Sequence, residues 1–566
     1  MSISVSYRRE FCAILCLAAL VCLPWLGRPF HTRGEPREAL VAQAMLVSGN
    51  WISPETYDHA VPSKPPFSHW LMALLSLPGG EVTELTARLP SALAFLSFVG
   101  MVFVFVSRRA NASVAITACL ILVTMSEWFR SAATCRVDML LATSMAGGML
   151  ALYSWWEGGF RRIPWLAIAL LSCATLTKGP VGFVVPLGIF SLFCWLRSEF
   201  RMNALPTIVL RGLALSVPVI AIASVWYILG YLERGDAFIE KIRYENFDRF
   251  TSSMEDKPHN HSTLYLLGML ALGVLPWTVC WAVELGCRVI VGRSLAHGTR
   301  LSAVKDSWRR LPSLYQYAML VSGIVLLFFC IPSSKRAVYL LPAYPFISLL
   351  IAYWVQTPRQ YAMKSAVVTK RIVECGAAIV LLLAAVLFLT PIGGFELRWN
   401  ALVASVSVWK VLVLLVLVAL LAGPLRSVVR DWYQRPIEGL GLAVIGAICF
   451  GSLFVYDAVA WQLSAKEWSR SGEFKERVSA ISNDTPCYSY GSEMYGASFY
   501  LGRPFERVTE NLPSREILVM LEAKRLDEFR RKIAPHAVEL FRYRSGLEDA
   551  RRDIVVVHVV PTGASR

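Results

Sequence analysis

Runs of roughly 17 to 25 predominantly apolar residues, the length a helix needs to cross the hydrocarbon layer of a bilayer, recur about thirteen times in this chain. The first spans Phe11 to Leu26, and the others begin near Leu85, Ala112, Met139, Trp165, Val181, Leu213, Tyr265, Tyr315, Val338, Ile372, Val403 and Leu440. With 55% of its 566 residues hydrophobic and 17% charged, the chain has too little polar surface to enclose these runs as a soluble globule, so lipid must be part of its solvent. The first run follows Arg8 and Arg9 and has no small-residue cleavage site before Arg28, so it reads as an uncleaved first span.

Charge between the runs sets the expected orientation. Arg8 and Arg9, Arg108 and Arg109, Arg161 and Arg162, Arg197 with Arg201 and Arg211, and the stretches Arg288 to Arg310, Lys364 to Arg371 and Arg426 to Arg435 all fall on one side. Retention of Lys and Arg in cytoplasmic loops explains this side and the net charge of +16 better than nucleic-acid binding does. The N-terminus is then cytoplasmic, and an odd number of spans leaves the C-terminus outside. The 13 cysteines sit mostly in apolar runs without metal-ligand spacing and read as small core residues. Cys487 is the only one in the tail, which rules out an internal disulfide there.

The outer side carries the loops 28–84 and 232–261 and the tail 457–566, so functional chemistry is expected there. The first loop reads as two short helices, Pro36 to Ser48 and Phe67 to Leu77, lying along the membrane surface and joined by the turn-rich NWISPETYDHAVPSKPP. In the tail, the apolar runs ILVML and DIVVVHVV flank the charged EAKRLDEFRRKIA, a pattern that predicts a small mixed α/β domain. The expected organisation is therefore an all-α polytopic membrane domain over residues 1–456 and a soluble α/β domain over 457–566.

Several polar residues stand out against this apolar background. Glu35 and Glu38 lie three apart beside Arg33 and Arg37, and Pro36 suits the first turn of a helix. They read either as a solvated acidic pair or as working carboxylates. Lys64, stiffened between prolines in PSKPPFSHW, would aim one cation at a phosphate or merely anchor the headgroup region. Asp138 opens a span, where a carboxylate is costly unless it has a partner or a task, and Arg136 is close enough in sequence to be that partner. Lys178 precedes Gly179 and Pro180 at a helix break, which would point it into a cavity or let it snorkel to the interface. Arg243, Glu245 and Asn246 in IEKIRYENFDRF, and Lys335, Arg336 and Tyr339 in IPSSKRAVYLLPAYP, repeat the theme. At least five cations and two or three carboxylates thus gather on one side, the set needed to hold an anionic lipid headgroup, stabilise a phosphate leaving group and deprotonate an acceptor.

In the order GEPREALVAQAM, SKPPFSHW, RVDMLLAT, TKGPVG, YENFDRF, LPWT and SSKRAVYLLPAYP, these segments resemble the GT-C superfamily of polyprenyl-phosphate-sugar transferases. Within it, the bacterial aminoarabinose transferases that act on lipid A and the protein O-mannosyltransferases are the similar branches. The resemblance covers roughly Arg28 to Tyr353 and implies a GT-C-type helical domain with a periplasm-facing cavity, capped by a soluble C-terminal domain. It also implies an undecaprenyl-phosphate-linked donor in a bacterial inner membrane, with Lys64, Lys178 and Arg336 near the carrier phosphate, and single displacement with inversion.

In this family the first-loop acidic pair is usually Asp-Glu, its Asp being the favoured base, whereas here it reads Gly34-Glu35. Either Glu35 takes over, or Asp138 supplies the carboxylate, or this member is altered. An acceptor that is already ionised, such as a lipid A phosphate, would need little help from a base. The chain has neither a P-loop nor a dinucleotide fingerprint, in keeping with a lipid-linked donor that requires no cofactor. His59, His69, His259 and His261 leave a divalent metal open beside ordinary headgroup contacts, with no metal ligands assigned. Competing readings are a protein O-glycosyltransferase, a carrier-binding relative without catalysis, and a secondary transporter. The last would put its charges near the midplane in repeated halves.

Overall fold

The computed structural model describes residues 7–30, 32, 34–55, 64–244, 261–275, 277–278, 308–309, 311–332, 334–356, 485–502, 505–508, 512–513, 515–545 and 552–560. The runs near Ile372, Val403 and Leu440, the 456/457 boundary, and Arg33, Glu245 and Asn246 lie outside the described residues.

Helix α1 (Arg8–Cys22) enters the membrane region and ends in a 3₁₀ turn that leads into the first loop. There α2 (Gly34–Ser48) and α3 (Phe67–Ser76) pack on each other, close to the two short helices that the sequence predicts. Next come α4 (Glu84–Ser107), α5 (Ala112–Thr124), α6 (Ser126–Ala132), α7 (Val137–Glu157), α8 (Trp165–Lys178), α9 (Val181–Arg197) and α10 (Leu205–Arg234). They are followed by α11 (Asp236–Arg243), α12 (Thr263–Gly273), α13 (Ser313–Cys330) and α14 (Tyr344–Gln356), the last preceded by a 3₁₀ turn over Ala337–Ala343. Among the described residues four helices are long and apolar enough to cross a membrane, and α5 with α6 makes a fifth as one span bent by 72°. The chain is thus a multi-pass membrane protein. Outside those five, the shorter apolar helices α8 and α9 lean on α7, which is buried along most of its length.

Two caps show how the sequence sets these boundaries. Thr83 and Thr86 exchange side-chain and backbone hydrogen bonds at the start of α4, satisfying donors that would otherwise face lipid. At the other extreme, Gly179 ends α8 with φ +83° and ψ −158°, a backbone that side chains resist, and Pro180 starts α9. This reversal leaves Lys178 on the last turn of α8. The interior of the bundle is aromatic, with Trp128, Tyr153, Phe193, Tyr317 and Phe346 buried in its core.

The tail forms a mixed sheet of β1 (Cys487–Tyr490), β2 (Glu506–Arg507), β3 (Ile517–Glu522), β4 (Val538–Ser545) and β5 (Arg552–Val559), in the order β2-β1-β3-β5-β4. β1 runs parallel to β2 and β3, while β5 lies antiparallel to both β3 and β4. Central β3 is buried on both faces, which is why ILVML is continuously apolar rather than alternating. Helices α15 (Tyr495–Leu501) and α16 (Leu526–Lys532) complete the unit. α15 packs on α2, where the ring of Phe499 lies 4.8 Å from that of Phe30 and the Tyr500 hydroxyl accepts the Phe30 N–H at 2.8 Å.

Candidate active site

Two buried ion-pair systems grow from α2, four residues of chain carrying both. Glu35 lies in the first turn and is 0% exposed. Its Oε1 accepts from Arg88 Nε at 2.8 Å and the Cys135 N–H at 3.1 Å, and its Oε2 from the Thr32 N–H at 3.2 Å and Thr32 Oγ1 at 3.3 Å. Arg88, itself buried in α4, spends its remaining donors on the carbonyls of Trp25, Leu26, Arg28 and Pro29. Both charges are therefore saturated from within the protein. A general base needs a lone pair open to the acceptor, and this carboxylate offers none in this arrangement.

One turn further, Glu38 faces a different neighbourhood. It accepts from Lys64 Nζ, from Arg37 at 2.8 Å and from His69 Nε2 of α3 at 2.8 Å. Burial opposes its ionisation, but Lys64 first, then Arg37 and His69, outweigh burial and hold the carboxyl well below the ordinary range. For Lys64, burial aided by Arg37 and opposed by Glu38 pulls the ammonium down to about 8. Its side chain keeps 19% of its surface exposed, so this cation stays partly accessible.

Asp138 in the first turn of α7 is 6% exposed and accepts from Lys178 Nζ at 2.5 Å. The Lys178 ammonium also sits 4.6 Å from the centre of the Tyr339 ring. Arg136, the partner that sequence proximity offers Asp138, is instead an electrostatic neighbour outside ion-pair distance, because the turn before α7 turns its guanidinium toward α2. It lies over Gly34, where a Cβ would fall 2.8 Å from Arg136 Cζ and closer still to Nη2. Glycine at 34 is thus what lets this cation lie against the start of α2. Asp138 and Lys64 feel each other's charge, so the pairs Lys64–Glu38 and Lys178–Asp138 form one cluster.

The remaining candidates are less tightly assembled. Lys335 is buried beside Arg336, in the segment that leads into the 3₁₀ turn against α7, and has no ion-pair partner among the described residues. Arg243 closes α11 but is the only described member of its cluster. Among the described residues no three His, Cys, Asp or Glu side chains group closely enough to hold a metal ion. His69 bonds Glu38, His261 stacks on Tyr265 at 4.1 Å, and His59 and His259 lie outside the described residues. Arg88 was not among the sequence candidates, although a lone arginine in the apolar run ELTARLPSALAF is the signal that marks a buried ionisable residue with a task.

A family model described as dolichyl-phosphate-mannose-protein mannosyltransferase matches residues 63–226, a stretch that contains Lys64, Arg136, Asp138 and Lys178. Among curated proteins, an undecaprenyl phosphate-alpha-4-amino-4-deoxy-L-arabinose arabinosyl transferase of Shewanella sediminis is 26% identical over 59% of this chain and 57% of its own. A second, from Proteus mirabilis, is 25% identical over 58% and 56%, so the chain spans less than two thirds of the length of these relatives. The crystal structure of ArnT from Cupriavidus metallidurans bound to undecaprenyl phosphate covers 98% of both chains, with a TM-score of 0.65 and 18% identity, and shares the fold. The resemblance to polyprenyl-phosphate-sugar glycosyltransferases, and to the aminoarabinose transferases in particular, therefore extends from the motifs to the whole architecture.

Proposed function

We propose that this protein is a bacterial inner-membrane glycosyltransferase that moves a sugar from an undecaprenyl-phosphate carrier to an acceptor on the periplasmic side. The observation that carries the reading is the charge imbalance of the cluster. Among the described residues Lys64, Lys178 and Arg136 gather around two carboxylates, Glu38 and Asp138, so that cations outnumber carboxylates there. A sugar-linked carrier is a phosphodiester with one negative charge, and the departing carrier is a monoester with up to two. Fixed cations favour the more highly charged second state over the first, which is stabilisation of the transition state rather than of the bound substrate. The shared architecture and the named relatives support the same donor class.

In this mechanism Lys64 and Lys178 hold the phosphate, drawn partly away from Glu38 and Asp138 as the charge on the leaving oxygen grows. Arg336 and Lys335 line the approach from the opposite segment. An acceptor oxygen attacks the anomeric carbon from the far side in a single displacement, forming the new glycosidic bond as the bond to the carrier oxygen breaks, with inversion. Glu35 anchors the loop instead of acting as a base. With Gly34 contributing no carboxylate and Arg136 over it, an acceptor that brings its own negative charge, such as a phosphate of lipid A, suits the site better than a neutral hydroxyl.

Mass spectrometry of lipid A and membrane glycolipids tests this reading, using cells with and without the protein and with Lys64→Ala and Asp138→Asn variants. A protein-dependent mass increment of one sugar, lost in both variants at unchanged protein level, is the expected result. Absence of any such increment in phosphate-bearing lipids would overturn the lipid acceptor.

A further inference from the structure

A second basic site lies at the other end of the same helices. Helix α7 has 21 residues, so its far end is about 30 Å from Asp138, near the opposite face of a bilayer. There the ends of α7 and α9 and the beginning of α10 line an open pocket of about 380 Å³, bordered by Trp156, Phe160, Arg197, Ser198, Thr207 and Arg211 among others.

The state of the two arginines is informative. Arg211 lies 3.7 Å from the centre of the Phe160 ring and Arg197 5.6 Å from that of Trp156, so each guanidinium is held by an aromatic ring rather than by a carboxylate. The nearby carboxylates are engaged elsewhere, Glu157 with Arg109 at 2.7 Å and Glu199 with Arg201 at 3.6 Å. Arg197 gives one hydrogen bond to Gln316 at 3.1 Å, and Arg211 has no hydrogen-bond acceptor among the described residues. Stacking occupies the face of a guanidinium and leaves its in-plane N–H donors available, the geometry that grips phosphate oxygens in pairs. Phe160 takes a left-handed backbone at φ +63°, where its N–H closes the end of α7 onto the Trp155 carbonyl at 3.0 Å and its ring, packed on that of Trp155, is presented to Arg211. A loop that merely retained positive charge on one side of the membrane would need neither the rings nor the cavity.

The occupant is indicated by what adjoins the cavity. Leu210, Leu213, Val217 and Ile220 form an exposed apolar stripe at helical spacing on α10, beginning beside Arg211 and running toward the membrane centre. We infer that this cavity binds the phosphate of an anionic glycerophospholipid, whose acyl chains lie along α10 and whose headgroup is gripped by Arg197 and Arg211 with Ser198 and Thr207.

The test is native mass spectrometry of the full-length protein in detergent, titrated separately with phosphatidylglycerol, phosphatidylethanolamine and inorganic phosphate. The wild type is expected to retain phosphatidylglycerol in preference to phosphatidylethanolamine. The Arg197→Ala/Arg211→Ala double variant should lose that preference by about tenfold. Thr207→Glu, an exposed position where no packing is lost, should do the same with an unchanged unfolding midpoint, separating repulsion of an anion from misfolding. Equal retention of the two lipids by the wild type, or a preference that survives in Thr207→Glu, would overturn the inference. Saturation by inorganic phosphate without a preference for the anionic lipid would overturn it in favour of a soluble phosphate ligand.

Discussion

The two acidic residues of α2 stand one turn apart in the same loop, and both are buried beside cations, yet they are built for different ends. Glu35 and Arg88 satisfy each other and a ring of backbone groups, with both side chains sealed from solvent. Around Glu38 the partners are side chains, Arg37 of the same helix together with Lys64 and His69 from the following segment, and two of the three are partly exposed. A buried pair that is complete fixes geometry and binds nothing further. An incomplete one keeps charge in reserve for a ligand, at the expense of holding like charges near each other. Burial of a carboxylate therefore says little about its role until its partners have been counted.

The largest effect that could break this contrast is on stability. Arg88→Ala should cost about 3–5 kcal/mol, because it leaves Glu35 buried and unpaired, and should lower the yield of folded protein in a thermal unfolding assay. If Arg88→Ala folded normally but lost turnover, the saturated pair would have to be reassigned to the chemistry. Lys64→Ala should do the reverse, lowering kcat/KM for the lipid-linked donor by about 10²–10³, or about 2.7–4 kcal/mol, with little change in the unfolding midpoint.

A finer test uses Gly34. Gly34→Asp would place a carboxylate against Arg136, and with an anionic acceptor it should lower kcat/KM by roughly tenfold through repulsion and neutralisation of that cation. A rise in activity would instead show that the site lacked a base. The smallest effect is the pH response. In the proposed mechanism the ammonium form of Lys64 binds the phosphate, and with its pKa drawn down to about 8, carrier affinity in the wild type should fall as pH rises through about 8. Lys64→Arg, which keeps its charge, should stay flat between about pH 7 and 9 in the same binding titration.

The sequence makes the outline of this molecule readable because membrane helices and surface helices obey strong local rules. The apolar runs beginning near Leu85, Ala112, Trp165 and Val181 start within a residue of the observed α4, α5, α8 and α9. The Gly179-Pro180 break correctly leaves Lys178 at a helix end. What the pattern does not carry is contact through space. Arg88 is 53 positions from Glu35, and Lys178 is 40 from Asp138. Arg136, two positions from Asp138, turns away from it because the backbone before α7 is extended at φ −145° and ψ 151°. The 72° bend between α5 and α6 escapes the sequence for a related reason: only Met125 leaves the helical conformation, and no proline or glycine announces it.

The hydrogen bond from Phe30 to Tyr500 joins residues 470 positions apart. A ribosome must therefore synthesise the chain through Tyr500 before the loop that carries Glu38 and Lys64 is clamped by the tail. Assembly of the ion-pair cluster is coupled in this way to synthesis of the tail, and a copy ended before Tyr500 would lack the contact that locks its first loop.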